Sequence, residues 1–448
     1  MQITEAELAV LNCPKTNSPL SLSEGQLVSE KDSVHYPIIN DVPWLLKNPL
    51  HSMVDWTIKL NHFNQVLTDE IRVLVNEIKK SSGETARRLT LLCEGKVRFQ
   101  QQVTQLVAPI LKAKVASKPI YDALSDRAPH TQNLLSYEAN LYRDWVWGGE
   151  ENNESLDIIK KVIDEQSINN ILVLGAGSCR LAYDLHCSLT PKLTLANDIN
   201  PLLLFAAKEI LWGDGLTIEE FPLHPKAIDS VVVTHEIESI KDTPDNFSLL
   251  FSDATKPAIK AASMDTVVTP WLIDIQPFEL SQFLAAVNHY LPRGGQWINF
   301  GSLVFNQNRD ALCYSIDEIK DVALKAGFEI EDIKQNTIPY LKSPYNAGYR
   351  METVWSWRAV KVKEVQLKKE LENLPDWLID IEKPVPNNRT FQSFAFSHQL
   401  YLDIASKVDG KKSIKDIAKK FAKERSIEPN EATSMIKDFY LKIIRESH

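Results

Sequence analysis

The 448-residue chain has no apolar run near the roughly 18 residues needed to cross a bilayer, so no membrane partner is expected. Its opening, MQITEAELAVLNCPK, lacks a basic segment followed by an apolar one and does not read as a secretory signal. Cysteine is scarce and unpaired: Cys13, Cys93, Cys179, Cys187 and Cys313 show no CxxC spacing. An odd, scattered set argues against a disulfide framework and fits a reducing cytoplasm, the expected location. Positive charge is short as well. With 50 Lys and Arg against 59 Asp and Glu, the net charge of −9 gives no long-range attraction to nucleic acid. There is no internal repeat and no low-complexity stretch. What remains, 44% hydrophobic and 24% charged residues, is the composition of a globular protein. The length exceeds one ordinary core and predicts roughly two to four folded units.

Residues 1–50 read as a small β-rich unit, its short apolar stretches separated by Pro, Asn, Ser and Gly. The run YPIINDVPWLL resembles the zinc-ribbon-like module that accompanies some tRNA and protein methyltransferases. Such modules open on CPxC, but Thr16 stands where the second cysteine would be. Cys13, His35 and His51 fall short of the four ligands of a tetrahedral zinc site, so the unit is expected to hold no metal. Residues 51–150 turn helical. DEIRVLVNEIKK and KVRFQQQVTQLVAPILKAKVA space their apolar residues three and four apart. Ser136 is a candidate cap for the helix leading into EANLYRDWVW. This extension is expected to pack on the domain that follows and cover its ligand cleft, with a purely structural helical bundle as the alternative.

Residues 151–362 alternate strands and helices, which implies a parallel sheet covered on both faces. INNILVLGAG and KLTLANDIN read as the first two strands, SMDTVVTPWLI and GGQWINFGSLVF as the fourth and fifth, and TVWSWRAVK as a closing strand. In such sheets the ligand sits at the carboxyl ends of the strands, at the switch point. VLGAGSCRLA has the form required there. A hydrophobic strand enters a Gly-x-Gly turn at Gly175, Ala176 and Gly177, and a helix begins near Arg180. Alone, this turn would suit any nucleotide cofactor. Three later signals narrow the choice. Asp198, followed by Ile199, ends the second strand roughly twenty residues on, where a carboxylate can accept ribose hydroxyls. LLFSDATKP puts Asp253 and Ala254 after the third strand, where methyltransferases hold the adenine amino group. YLPRGGQWIN resembles the turn before the fifth strand of those enzymes through Pro292, Gly294 and Gly295. The order predicts an α/β fold: a doubly wound, Rossmann-like S-adenosylmethionine methyltransferase sheet with a helical N-terminal extension and small accessory N- and C-terminal units. A third glycine common in the loop is replaced by Cys179.

From about Tyr137 to Lys361 the sequence further resembles the carnosine N-methyltransferase family. YRDW resembles that family's RDW segment, LGAGSCRLA its PGAGLGRLA, and NDINPLLLF its NEWSFFMLF. WLIDI is similar to FFIDT, WINFGSLVF to WINLGPLLY, and YSIDEIKDVALKAGF to the SYEDIKNVVLQYGF type of helix. The resemblance implies N-methylation of an imidazole. It puts Arg143 at the cofactor carboxylate with Gly175, Gly177 and Arg180 nearby, and Asp274 beside the substrate, after the strand carrying Pro270. A carboxylate there could accept N–H from one imidazole nitrogen and leave the other lone pair facing the methyl group. A helix cap is the alternative reading of Asp274. The chain departs from the family near the acceptor. Asn306 and Phe305 stand where the family has histidine and tyrosine, and the tyrosine cluster before a glutamate becomes Tyr349, Arg350 and Met351 before Glu352. Asp274, Asn306, Tyr349 and Glu352 are therefore the candidate catalytic residues, and Tyr349 has packing in the core as its alternative. Another imidazole, an amine or an oxygen acceptor fits the altered pocket, as does a SAM-binding scaffold without catalysis.

Residues 363–448 lead through a charged helix (KVKEVQLKKELENL) and PDWLIDIEKPVPNNRT to a helix-turn-helix-like unit with a turn at Asp409-Gly410. Ser413 and Glu428 or Pro429 mark helix starts. The unit weakly resembles peptide-recognition domains of modified-peptide biosynthesis, which implies binding of a leader peptide by strand addition. A packing or dimerisation appendage is the alternative, and its lysines read as solvated helix faces rather than a nucleic-acid surface.

Overall fold

A computed structural model describes residues 3–29, 31, 33–111, 133–241, 243–276, 279–305, 310–367, 384, 399, 401–409 and 411–446. The chain divides into two compact units, Met1–Lys368 and Lys369–His448.

The first unit is built on thirteen strands. They are β1 (Ser21–Ser23), β2 (Gln26–Ser29), β3 (Val34–Ile39), β4 (Val42–Leu45), β5 (Asn170–Leu174), β6 (Leu193–Asp198) and β7 (Leu216–Glu220). There follow β8 (Val233–Ile237), β9 (Phe247–Ser252), β10 (Thr266–Pro270), β11 (Gln296–Gly301), β12 (Phe328–Tyr340) and β13 (Arg350–Lys361). Eleven form one sheet in the order β1-β2-β3-β4-β9-β6-β5-β10-β11-β13-β12, and β7 and β8 form a separate antiparallel pair. The central strands β9, β6, β5, β10 and β11 are parallel, and chain order reverses on either side of β5. That reversal is the switch point of a doubly wound sheet. The long hairpin β12–β13 closes it, β13 running antiparallel beside β11.

The helices of this unit are α1 (Glu5–Val10), α2 (Pro49–Ile78), α3 (Gly83–Leu111), α4 (Glu138–Tyr142), α5 (Gly149–Lys160), α6 (Arg180–Leu189), α7 (Pro201–Trp212), α8 (Leu280–Tyr290) and α9 (Ile316–Lys325). Successive side chains of a strand point to opposite faces, so each central strand feeds two cores. Ile171, Val173, Val268, Ile298 and Phe300 pack on one side with Leu185 of α6, Phe205 of α7 and Phe99 of α3. Leu172, Leu174, Val267 and Trp297 pack on the other with Phe283 of α8 and Ile319 of α9. Burial on both faces is why these strands read as unbroken apolar runs.

The N-terminal strands extend this sheet. A β1–β4 meander hands over to β9 through a parallel pairing, Trp44 opposite Phe251 and Leu45 opposite Ser252, with the two rings stacked at 3.6 Å. Cys13 is buried with its Sγ 3.0 Å from Tyr36 Oη. Ser136 does not cap α4. Its hydroxyl accepts from the Asn133 amide, and Tyr137, in the left-handed region at φ 63°, stands at the cap position. Among the described residues no group of three or more His, Cys, Asp or Glu is placed to hold a metal, and no helix is long and apolar enough to cross a membrane.

The second unit contains α10 (Ile414–Arg425) and α11 (Pro429–Glu446), packed around Ile404, Ile417, Phe421, Ala432 and Ile436. Ser413 and Asp416 form the reciprocal cap of α10. The charged helix expected over KVKEVQLKKELENL is not formed in its described half: β13 ends at Lys361, and residues 362–367 are irregular. The rest of that run, PDWLIDIEKPVPNNRT apart from Pro384, and Gly410 lie outside the described residues.

Candidate active site

The carboxyl ends of β5, β6, β9 and β10 lie on one edge of the sheet and bring four predicted regions together: Gly175–Gly177, Asp198–Ile199, Asp253–Ala254 and Pro270. Gly175 and Gly177 take φ of +69° and +58°, which other residues adopt only with strain. A Cβ on Gly175 would also meet Leu272 Cδ1 at 2.7 Å, whereas the space beside Gly177 is open. Cys179 holds the left-handed conformation at φ 66° before α6, with its side chain buried.

Asp198 organises the loop. Its Oδ2 accepts from the Gly177 amide at 2.8 Å, and its Oδ1 accepts from Ile199 and Asn200 at 2.7 and 2.8 Å. A carboxylate has about four acceptor sites, so three are taken and about one remains for a further donor. Burial nevertheless holds its pKa above the usual carboxylate value, against the pull of these three amides. Asn200 caps α7 by accepting from Leu202, and its amide donates to the Leu134 and Ser136 carbonyls, drawing residues 134–136 to the end of β6.

Residues Arg143–Trp147 form a single π-helical turn, a deviation found mostly at functional sites. It is fastened to the glycine loop at three points. Ser178 Oγ donates to Asp144 at 2.5 Å, Trp145 Nε1 donates to the Ser178 carbonyl at 2.8 Å, and Arg180 Nη1 donates to the Asp144 carbonyl at 3.1 Å. Arg143 is turned into ion pairs with Asp144 at 2.7 Å and Glu151 at 3.5 Å, leaving its side chain 12% exposed. Glu151 in turn accepts from the Leu341 amide at the tip of the β12–β13 hairpin. Asp144, Trp145 and Ser178 escaped the sequence reading as site residues. Their one signal is their position beside YRDW and GAG.

Asp253 folds the turn after β9, accepting on Oδ1 from Thr255 N at 2.9 Å and Thr255 Oγ1 at 2.7 Å. The Ala254 carbonyl accepts from Tyr290. Beyond Pro270, Trp271 packs its ring 4.9 Å from that of Tyr340. Asp274, 4% exposed, accepts on Oδ2 from Ser302 Oγ at 2.7 Å and Val304 N at 3.0 Å. Its Oδ1 has no hydrogen-bond partner among the described residues. Tyr137 faces the same region: burial, then the charges of Tyr340, Asp274 and Asp198, raise its pKa. Tyr349 is 53% exposed, with Lys342 Nζ 5.4 Å above its ring. Glu352 is paired to Arg350 at 2.5 Å, and the Arg350 guanidinium lies 4.4 Å over Tyr340. Asn306 lies outside the described residues. The LPRGG turn sits at the amino end of β11, the edge opposite the glycine loop, where Gly294 donates to the Lys361 carbonyl. Its part is in closing the sheet.

The model of the carnosine N-methyltransferase family matches residues 126–366, more than half of the chain. The chain belongs to this family. A carnosine N-methyltransferase of Dictyostelium discoideum is 26% identical over an alignment 226 residues long that covers 44% of this chain and 48% of that protein. The chain thus matches about half the length of that curated relative. Solved structures are more distant. One from Thermotoga maritima, described as a SAM-dependent methyltransferase and possible histamine N-methyltransferase, is 14% identical, with 52% of this chain and all of that one covered at a TM-score of 0.33. A phosphoethanolamine N-methyltransferase of Haemonchus contortus, bound to phosphomonomethylethanolamine and S-adenosylhomocysteine, is 14% identical over 56% of this chain and 62% of its own, also at 0.33. Neither adds to what the sheet order and the family establish: the fold of a SAM-dependent methyltransferase.

Proposed function

We propose that this protein transfers the methyl group of S-adenosylmethionine to an imidazole nitrogen of histidine, a histidine-containing peptide or a related small molecule. The observation that carries this reading is Asp274, a buried carboxylate with one oxygen fixed by Ser302 and Val304 and the other unpaired among the described residues. The residues present suit the cofactor: an open position at Gly177, a ribose-side acceptor at Asp198, and Asp253 and Ala254 at the end of β9. When bound, the sulfonium supplies an electrophilic methyl carbon. Free imidazole has a pKa of about 6.5 and is largely neutral near pH 7, so no strong base is required. Asp274 accepts the N–H of one ring nitrogen, fixes the tautomer and keeps the other lone pair aimed at the methyl. The same carboxylate stabilises the positive charge that develops on the ring.

Transfer of tritiated methyl from the cofactor to histidine, histidine dipeptides and a cell extract tests the reading. Label is expected on an imidazole nitrogen. Tight cofactor binding with no labelled imidazole would instead favour a scaffold or another acceptor. The C-terminal unit is proposed to recruit a peptide substrate, consistent with its own small core. Removal of residues 385–448 should then raise KM for the physiological peptide and leave turnover of a free dipeptide unchanged. Unchanged kinetics on both substrates would reduce the unit to an appendage.

A further inference from the structure

Behind the π-turn lies a set of polar groups that methyl transfer does not use. The hydroxyl of Tyr142, last residue of α4, stands 2.6 Å from Glu138 Oε1 and 2.6 Å from the Glu219 carbonyl oxygen. A phenol has one proton to donate. If Glu138 is ionised, both neighbours are acceptors and one short contact lacks a hydrogen. If Glu138 carries a proton, both contacts are satisfied: Glu138 donates to Tyr142 Oη, and Tyr142 donates to Glu219.

The surroundings favour the second arrangement. Facing this site are Lys96 and Arg98 from α3, Glu219 and Glu220 from β7, and His235 from β8. Tyr345, from the β12–β13 hairpin, lies tilted against His235 with ring centroids 5.8 Å apart. Each cation or potential cation has another partner: Lys96 pairs with Glu70 at 2.7 Å, Arg98 with Glu219 at 2.6 Å, and His235 with Glu220 at 2.6 Å. Among the described residues none of them bonds to Glu138. Burial first, then the nearby charge of Glu220, pushes the Glu138 carboxyl up to about 7, against the Tyr142 bond and Lys96.

We propose that Glu138 is a positioning residue whose proton, held through Tyr142, keeps Tyr137–Trp147 seated on the cofactor loop. The covalent path is short. Glu138 follows cleft-facing Tyr137, and Tyr142 precedes Arg143, Asp144 and Trp145, two of which bond to Ser178. Loss of the proton removes one donor from a pair of 2.6 Å contacts and adds an anion beside Glu220. The bound state holds the proton more firmly than the free one, so cofactor affinity falls as pH rises through about 7. A single required proton changes affinity by at most about tenfold per pH unit.

The inference rests on the cofactor assignment, and the test separates the two. Affinity for S-adenosylhomocysteine is measured by calorimetry between about pH 6 and 8.5 on wild type and Glu138→Gln. Any titration of the ligand itself acts equally on both proteins, so the comparison between proteins is what counts. The glutamine amide donates to Tyr142 at every pH. The variant should match wild type within about twofold at pH 6 and bind about tenfold more tightly at pH 8.5. Parallel profiles would overturn the proposal alone, and failure of wild type to bind at any pH would overturn the cofactor assignment with it. Infrared spectra of protein labelled at the glutamate carboxyls give a reading that survives a poorly folding variant. A protonated-acid band should be present at pH 6 and fade near 7, and its absence at pH 6 would sink the idea. Glu7, buried with its carboxyl also at about 7, contributes a similar band. Glu7→Gln removes that one, and the Glu138 band must persist in its absence.

Discussion

Asp198→Asn should lower affinity for S-adenosylmethionine by about a hundredfold while leaving a folded protein. The substitution keeps the size of the side chain and inverts half of its hydrogen-bonding character. The carboxylate now satisfies donors on both sides, Gly177 through Oδ2, and Ile199 and Asn200 through Oδ1. An asparagine that turns its oxygen to the second pair sets its NH2 against the Gly177 N–H, donor against donor. A lost bond to a charged acceptor is worth about 1.5–3 kcal/mol, and the glycine turn it shaped is the part that must approach the cofactor. About 2.7 kcal/mol corresponds to a hundredfold in Kd. Calorimetry with S-adenosylhomocysteine, alongside a thermal melt, measures both quantities. A Kd within about threefold of wild type would mean that the cofactor does not depend on this carboxylate.

Asp274→Asn acts on the other reactant. The asparagine oxygen still accepts from Ser302 and Val304, so the tie between the ends of β10 and β11 is kept. Its NH2 then occupies the position of Oδ1, where it cannot accept an imidazole N–H. Under the proposed function kcat on an imidazole acceptor should fall by about a hundredfold to a thousandfold, through lost orientation and lost charge stabilisation. Cofactor affinity should hardly change. Steady-state kinetics with histidine dipeptides, run beside the binding measurement, separates the two sites. Full activity in this variant would remove Asp274 from the acceptor site.

The parts of this architecture that sequence reveals are those whose cause is local. The apolar runs around Ile171, Leu195, Val267 and Ile298 are strands because both faces are buried, and the glycine turn with Asp198 follows from the backbone geometry such a loop requires. The start of α6 at Arg180 is legible for the same reason. What escaped depends on partners far away in the chain. Strands β7 and β8 (LTIEE and VTHEI) mix Glu, Thr and His with apolar residues, because their polar side chains answer Arg98 of α3, Trp147 and each other. Strand β12 is largely charged along IEDIKQ, since it lies at the open edge of the sheet and pairs only with β13. The link between Asp144 and Ser178 spans 34 residues and needs a π-turn that no residue pattern announces.

The seam between β4 and β9 carries one more consequence. β9 leads directly into Asp253, and without its parallel partner it would be an outer strand, with its unpaired amides and carbonyls and the ring of Phe251 facing water. Exposed strands of this kind are templates for pairing with other chains, and folded proteins commonly cover them. The N-terminal meander therefore works here as a selvedge. It finishes the border of the sheet and protects the strand that delivers one wall of the cofactor cleft from sticking to its neighbours.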